Sequence, residues 1–158
     1  MITSCYDINM SSQNESAPAS LLKALAEFRH QLRSFLQFSE QAATDHSVRP
    51  RQHQLLLQIA GIQDGHLATI NYLAERLGLR QNSVVELADR SEAEGLVRRT
   101  EDSQDRRRTV LTVTRKGMRL LDALAESHAR ELDELGPQLI RALDRIKSAR
   151  SAATKGSR

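Results

Sequence analysis

The sequence predicts a mainly α-helical fold with one small β-hairpin. Aromatic residues make up only 3% of the 158 residues, so aliphatic side chains must fill the core, which favours helices over a large sheet. Apolar residues recur at intervals of three and four along most of the chain. Between residues 96 and 114 this period gives way to two β-type segments separated by polar residues.

The first helix is expected within residues 19–47. Residues 1–18 are rich in Ser and Asn and lack helical periodicity, which predicts a flexible arm. Ser20 is the expected N-cap. The apolar positions then alternate by four and three, as on helices that pack along another helix. This seam follows a polar arm and indicates a dimer interface, although it also fits an ordinary monomer core; its residues are Leu21, Leu25, Phe28 and Leu32.

Three more helices are expected before the hairpin. Pro50 suits the first turn of the second helix. Thr69 is placed to cap a third helix at Ile70–Leu77, and Gly78 supplies the positive φ that ends it. A fourth helix covers about residues 81–94, and Gly95 closes it.

The hairpin consists of strands at residues 96–100 and 109–114 with eight polar residues between them. Residues 96–117 contain seven basic and three acidic side chains, a local excess that suits a polyanion. A merely solvated hairpin is the alternative. Helix, glycine turn, helix, strand, basic loop and strand form the order of a winged helix-turn-helix, expected at residues 48–117.

Such a fold binds DNA through the second helix of the motif, here the fourth helix of the chain. Val84, Leu87 and Ala88 are expected to face the core. Gln and Asn can pair bidentately with adenine, and Val85 can contact a thymine methyl group. The predicted DNA-facing residues are Arg80, Gln81, Asn82, Ser83, Val85, Glu86 and Arg90.

After the hairpin, a helix is expected from about residue 116 to 134, followed by a corner at Gly136 and Pro137 and a last helix. Residues 118–150 are interpreted as dimerisation helices and residues 151–158 as a flexible basic tail. The last helix repeats the spacing of four and three, and its predicted interface residues are Leu139, Leu143 and Ile146.

Five stretches resemble the MarR-type regulators: VRPRQHQLL at 48–56, LAERLGL at 73–79, EAEGLVRR at 92–99, DRR at 105–107 and LTVTRKG at 111–117. The resemblance implies a bacterial homodimer that binds double-stranded DNA. It also implies that Arg107 enters the minor groove at the wing while Asp105 orients it. Arg106 and Arg108 are expected to flank it near phosphates, and Arg98 and Arg99 complete the predicted DNA-binding wing.

The sequence departs from the family pattern at several positions. The family often has Thr-Arg at the positions of Val85 and Glu86, a large apolar residue at Ser91, and a capping Ser or Thr at Arg49. Glu86 has two interpretations. It can accept a hydrogen bond from cytosine, or it can form a capping box with Ser83 that caps the first turn of the helix.

An effector pocket is a further hypothesis. In the family, ligands often bind beneath the dimer helices, and an aromatic carboxylate pocket here would be formed by His30, Arg33, Phe35 and His53. Ordinary surface or core positions are the alternative for these side chains. Because the histidines lack close metal-ligand spacing, we expect no metal site and no cofactor. Cys5 lies in the arm, away from the place where redox-sensing relatives keep their cysteine.

The sequence therefore predicts a repressor that a small ligand releases from a pseudo-palindromic operator. The alternative is a winged-helix module that binds protein, although such a module has no reason to keep the basic wing. An enzyme is not expected, because the chain shows no nucleophile–base pair or phosphate-binding glycine loop. A net charge of +3, one cysteine and no membrane-length apolar run or signal segment suggest a cytoplasmic protein without a membrane partner.

Overall fold

The computed structural model describes residues 18–102 and 108–156, with side chains described as far as Ala152. Over these residues the chain is mainly helical and has one two-stranded antiparallel sheet, which confirms the predicted fold class. The elements are α1 (Ala19–Asp45), α2 (Pro50–Ala60), α3 (Ile70–Leu77), α4 (Gln81–Ala93), β1 (Val97–Glu101), β2 (Thr109–Val113) and α5 (Arg115–Gly156).

The helix α3 has the bounds that its local sequence signals predict. The Thr69 side chain accepts a hydrogen bond from the backbone N of Tyr72 at 3.3 Å and so caps the first turn. Gly78 takes φ 63° and ends the helix in the left-handed conformation. The backbone N of Leu79 then donates to the Ala74 carbonyl at 2.9 Å, which turns the chain toward α4.

The hairpin packs its inner face on the helices of the winged domain. The register pairs Val97 with Val113 and Glu101 with Thr109, so β1 begins one residue later than expected. Leu111 is buried, and its backbone N donates to the Ala68 carbonyl at 3.0 Å. The strands therefore share the core of α2, α3 and α4, whose most buried members are Leu55, Leu56, Leu73, Val84, Ala88 and Val97.

The helices α1 and α5 pack antiparallel along each other. Ser39, late in α1, contacts His128, early in α5. At the opposite end, Ala24 and Ala149 line the same groove. Small buried residues on both helices, including Ala42 and Ala142, allow this close approach. The two terminal helices thus form one layer beside the winged domain.

The start of α1 differs from the prediction. The helix begins at Ala19, so Ser20 lies inside it and Pro18 is the N-cap. Pro18 has the extended conformation (φ −53°, ψ 137°) that an N-cap requires, and its carbonyl accepts from the backbone N of Leu21 at 2.9 Å. The fixed φ of proline therefore favours a helix start two residues earlier than a cap at Ser20 would give.

The expected corner at Gly136 and Pro137 is wrong, because α5 continues through both residues to Gly156. The predicted division into several C-terminal helices and a flexible tail from residue 151 is corrected in the same way. A proline inside a helix costs about 3 kcal/mol. Leu135 and Ala142, on either side of the proline, are both buried. Burial of one continuous face outweighs the local cost.

Candidate nucleic-acid interface

The helix α4 has one buried face and one polar, solvent-exposed face. Val84, Leu87 and Ala88 are buried in the core, as the sequence predicts. The remaining side chains of interest lie on the exposed face or at its N-terminal edge: Arg80, Gln81, Asn82, Ser83, Val85, Glu86 and Arg90. The helix is therefore anchored by its apolar residues while its N-terminal polar residues remain available to a ligand as large as a duplex.

The capping-box interpretation of Ser83 and Glu86 is wrong. A capping serine must precede the helix, and Ser83 lies at the third position within α4, where Arg80 is the N-cap. Gly78 ends α3 and leaves only Leu79 and Arg80 in the turn, so α4 begins at Gln81, as the sequence predicts. Ser83 and Glu86 are both exposed on the surface of α4.

Ser91 replaces the large apolar residue that the resemblance leads one to expect. It is fully buried, and its hydroxyl donates to the Leu87 carbonyl at 2.8 Å within the helix. This bond satisfies a polar group that burial would otherwise penalise. Arg49 also departs from the family pattern, since it stands where a capping Ser or Thr is usual. Its backbone N donates to the Gln52 side chain at 3.2 Å, and its guanidinium bonds Glu94 at 2.8 Å.

The two arginines of β1 are placed differently. The Arg98 side chain is exposed, and its Nε donates to Thr112 Oγ1 at 3.1 Å across the hairpin. The Arg99 guanidinium instead lies against α4, where Nη1 donates to Glu92 at 2.5 Å and Nη2 to Asp89 at 2.6 Å. Its backbone N also donates to Glu92 at 2.9 Å.

These bonds shift the ionisation of the groups involved. The backbone N–H of Arg99, followed by its guanidinium, lowers the pKa of Glu92. Burial alone would lower the pKa of Arg99, but its bonds with Asp89 and Glu92 outweigh burial and raise that pKa. Both shifts favour the charged forms of Glu92 and Arg99.

At the tip of the wing, Arg108 is exposed at the start of the returning chain. Asp105, Arg106 and Arg107 lie outside the described residues, so their predicted placement in DNA stays a prediction.

The four predicted pocket residues fall into two groups. His30 and Arg33 are exposed on α1, and Arg33 lines a surface groove of about 380 Å³ with Arg29 and Glu40. Phe35 and His53 instead both contact the ring of His128. The ring centroids of Phe35 and His53 lie 5.8 and 5.1 Å, respectively, from the ring centroid of His128. The contacts of the described residues thus do not join the four side chains in one pocket.

His128, on α5, contacts side chains of both α1 and α2. Its Nδ1 donates to the Leu124 carbonyl at 2.6 Å, and its Nε2 lies 2.7 Å from the Ser39 hydroxyl. Desolvation by burial, followed by the nearby charge of His128, lowers the pKa of His53. The spacing of His128 with the apolar residues of its helix could have indicated a buried position. Its partners Phe35, Ser39 and His53 lie too far away in the sequence to be predicted from that spacing.

The predicted interface residues of the terminal helices are incompletely covered within one chain. Leu25, Leu32 and Leu143 are 39%, 41% and 42% exposed. Their predicted partners in the seam are half-buried: Leu21, Phe28, Leu139 and Ile146.

Within the described ranges, no cluster of three or more His, Cys, Asp or Glu side chains is placed to hold a metal ion. The described helices include none that is long and apolar enough to cross a membrane.

A helix-turn-helix with an exposed polar helix, followed by a hairpin against its side, defines the class of winged helix-turn-helix proteins. The model of the MarR family matches residues 46–108. Three similar solved structures share the fold over most of both chains. None of the curated protein sequences matches the chain.

The first structure is a complex of S. aureus MepR with DNA, which is 26% identical, covers 81% of this chain and 91% of MepR, and has a TM-score of 0.56. The second is the transcriptional regulator BldR of Sulfolobus solfataricus, at 25% identity, 81% and 92% coverage and a TM-score of 0.55. The third is AbsC, a MarR family transcriptional regulator of Streptomyces coelicolor, at 17% identity, 85% and 94% coverage and a TM-score of 0.63. This chain therefore has the winged helix-turn-helix fold, and its residues 46–108 are similar to the MarR family of regulators.

Proposed function

We propose that this chain is a sequence-specific DNA-binding regulator, a repressor, that acts as a homodimer on a pseudo-palindromic operator in the bacterial cytoplasm. We further propose that a small ligand such as an aromatic acid releases it. The observation that carries the proposal is the exposed face of α4, where Gln81, Asn82 and Ser83 stand at the N-terminal end of a firmly anchored helix. That end is the one a recognition helix presents to base edges in the major groove.

The side chains of this face match the chemistry of base edges. Gln81 and Asn82 can each form two hydrogen bonds with adenine, and Val85, which is 38% exposed, can contact a thymine methyl group. Glu86 can accept from cytosine, while Arg80 and Arg90 at the margins supply charge for phosphates. The solved complex of MepR with DNA supports placing α4 on a duplex.

The wing would supply the second contact. The hairpin places Arg98 and Arg108 on its exposed surface, and the chain between them carries Arg106 and Arg107. We propose that Arg107 enters the minor groove and that Asp105 holds its guanidinium, since arginine is favoured where that groove is narrow.

The homodimer is supported by uncovered apolar surface on the terminal helices. The side chains that remain exposed on this layer are Leu22, Leu25, Leu32, Leu36, Leu132, Ile140 and Leu143. Exposed apolar side chains that recur along two neighbouring helices are typical of an association site. A two-fold dimer would also place two α4 helices on one face for two half-sites.

The proposed effector has two separate candidate binding sites. Arg33 offers a cation for a carboxylate on the surface of α1, and Phe35 and His53 offer aromatic contacts around His128. Each group is a separate candidate for one end of an aromatic acid.

Footprinting on the DNA beside the gene for this chain tests the function. We expect protection with dyad symmetry and half-sites about 10 base pairs apart, because two recognition helices sit about one helical turn apart. Candidate aromatic acids should remove the protection. Absence of any protected site, with the protein folded, would leave the protein-binding module as the better description.

Replacement of Asn82 by Ala tests the base contact itself. The variant should lose roughly 1–3 kcal/mol of binding free energy on the cognate site and discriminate less at one base pair. Random DNA should bind as before. Glu75→Ala, on the exposed surface of α3, is the control and should bind like the parent. Equal weakening on cognate and random DNA would mean that Asn82 contacts only phosphate.

A further inference from the structure

Arg99 forms the polar link between the recognition helix and the wing. Three bonds from this one residue, two from its guanidinium and one from its backbone, reach Asp89 and Glu92 on α4. The guanidinium is a planar fork, and here its two terminal nitrogens bond two different carboxylates. The Arg99 side chain is 30% exposed, so it is substantially withdrawn from solvent.

The neighbouring Arg98 shows that this arrangement is specific to one face of β1. Successive side chains of a strand point to opposite faces, and Arg98 is exposed beside Thr112 on the other face. A guanidinium in the position of Arg98 can reach a phosphate without breaking an ion pair. For Arg99 to do so, it would have to leave two carboxylates.

The charge of α4 gives the link a second consequence. The helix carries three acidic residues, Glu86, Asp89 and Glu92, and one basic residue, Arg90. Two of the three carboxylates are bonded to Arg99. Without the guanidinium, both would add to the repulsion between this helix and the DNA backbone.

We propose that Arg99 is a positioning residue, which holds the wing at a fixed distance and angle from the recognition helix and does not contact phosphate. The inference rests on the proposed function and deepens it. Major-groove contact by α4 and minor-groove contact by the wing occur on the same duplex, so both depend on the geometry between the two elements. Asp89 and Glu92 are the helix side of this link.

The double variant Asp89→Asn, Glu92→Gln separates positioning from charge. It removes two negative charges near DNA and releases Arg99, so simple electrostatics predicts tighter binding. The positioning function predicts that specific affinity falls, by about ten-fold for the loss of charge-assisted bonds. The matched control is Glu75→Gln, Asp122→Asn, which changes the charge equally at exposed positions on α3 and α5. Tighter binding by the first variant would overturn the proposal.

Arg99→Lys provides a second test, because lysine keeps the charge but lacks the fork that bonds two carboxylates. Arg99→Lys should lose most of the specific affinity that Arg99→Gln loses, with the slope of log affinity against log salt unchanged by the lysine. In hydroxyl-radical footprints the wing protection in the minor groove should weaken, while protection of guanine N7 from methylation by dimethyl sulfate in the major groove persists. A phosphate contact would instead be largely rescued by lysine, and Arg99→Gln would shallow the slope by about one unit per site.

Hydrogen exchange of the free protein tests the link without DNA. In the Asp89→Asn, Glu92→Gln variant, amides of β1 and β2 should exchange at least several-fold faster, while those in the middle of α5 stay unchanged. Unchanged exchange in the hairpin would refute the positioning function. If exchange rises as expected but the parent protein shows no specific footprint, the proposed function fails and the link between α4 and β1 stands.

Discussion

At the scale of single residues, His53 lies against His128 in a contact that favours the neutral form of His53. His53 is 5% exposed, and its ring lies beside that of His128 between α2 and α5. The ring of His128 is held by a carbonyl on one nitrogen and faces a hydroxyl on the other. Because the pKa of His53 is lowered in the folded chain, first by burial and then by His128, folding favours its neutral form.

This contact predicts a loss of stability in mild acid. The unfolded chain binds a proton on His53 near its ordinary pKa of about 6.5, while the folded chain resists it to lower pH. The free energy of unfolding should therefore decrease as the pH falls from 6.5 toward the lowered pKa. His53→Phe should make this dependence shallower, by up to about 1.4 kcal/mol per pH unit. Urea unfolding at pH 5 to 8 measures it.

His30→Phe serves as the control, because His30 is exposed on α1. Its dependence on pH should match that of the parent. Parallel curves for the parent and His53→Phe would contradict the assignment of the acid sensitivity to His53.

At the scale of elements, the junction between the hairpin and α5 is unusually tight. Thr114 caps α5, since its hydroxyl accepts from the backbone N of Gly117 at 3.1 Å. A Cβ atom at Gly117 would lie 2.4 Å from the Leu96 carbonyl oxygen and 2.6 Å from Val113 Cγ1. The hairpin backbone therefore needs a glycine here to reach the start of α5.

Two glycines of α5 differ in what the same substitution would contact. Gly117→Ala should destabilise the protein by roughly 1–3 kcal/mol, because the backbone it meets cannot move as a flexible side chain can. Gly136→Ala should change the free energy of unfolding by less than about 1 kcal/mol, because the gain in helix propensity is opposed by contact of the added carbon with the ring of Pro137, while no other described atom outside the local helix backbone lies within 4 Å of it. Thermal unfolding of both variants tests these expectations. A Gly117→Ala variant as stable as the parent would show that the backbone at the junction can shift to accommodate the added carbon.

Elements with local signals could be predicted from the sequence, and elements set by distant contacts could not. Thr69 and Gly78 determine the bounds of α3 within a few residues. Pro137 gave an equally local signal for a break, but packing of α5 against α1 overrides it. The same holds for the site. The exposed face of α4 follows from its period, whereas the partners of Arg99 lie 7 and 10 residues away and that of His128 lies 89 away.

At the scale of the whole molecule, the chain divides its apolar surface between two uses. The winged domain has large aliphatic residues that are completely buried, as at Leu55, Leu56 and Leu73. The layer of α1 and α5 instead buries mostly small residues between the helices and leaves leucines outside. This distribution fits a domain that is stable in one chain, attached to a layer completed by a second copy.

Charge substitution on the outer surface of this layer should therefore separate the copies. Leu32→Glu places a carboxylate in the proposed interface once from each chain, and the lost burial costs at least about 1.5 kcal/mol per copy, so the dimer dissociation constant should rise at least about a hundred-fold. Leu67→Glu is a matched control, because Leu67 is 40% exposed against 41% for Leu32 but lies in the loop before α3. Sedimentation equilibrium should show Leu32→Glu approaching 17.7 kDa and Leu67→Glu at twice that mass. The dyad footprint should be lost with the dimer, since one recognition helix then binds one half-site. A parent protein that sediments at 17.7 kDa at micromolar concentration would refute the homodimer, and the exposed leucines would need another partner.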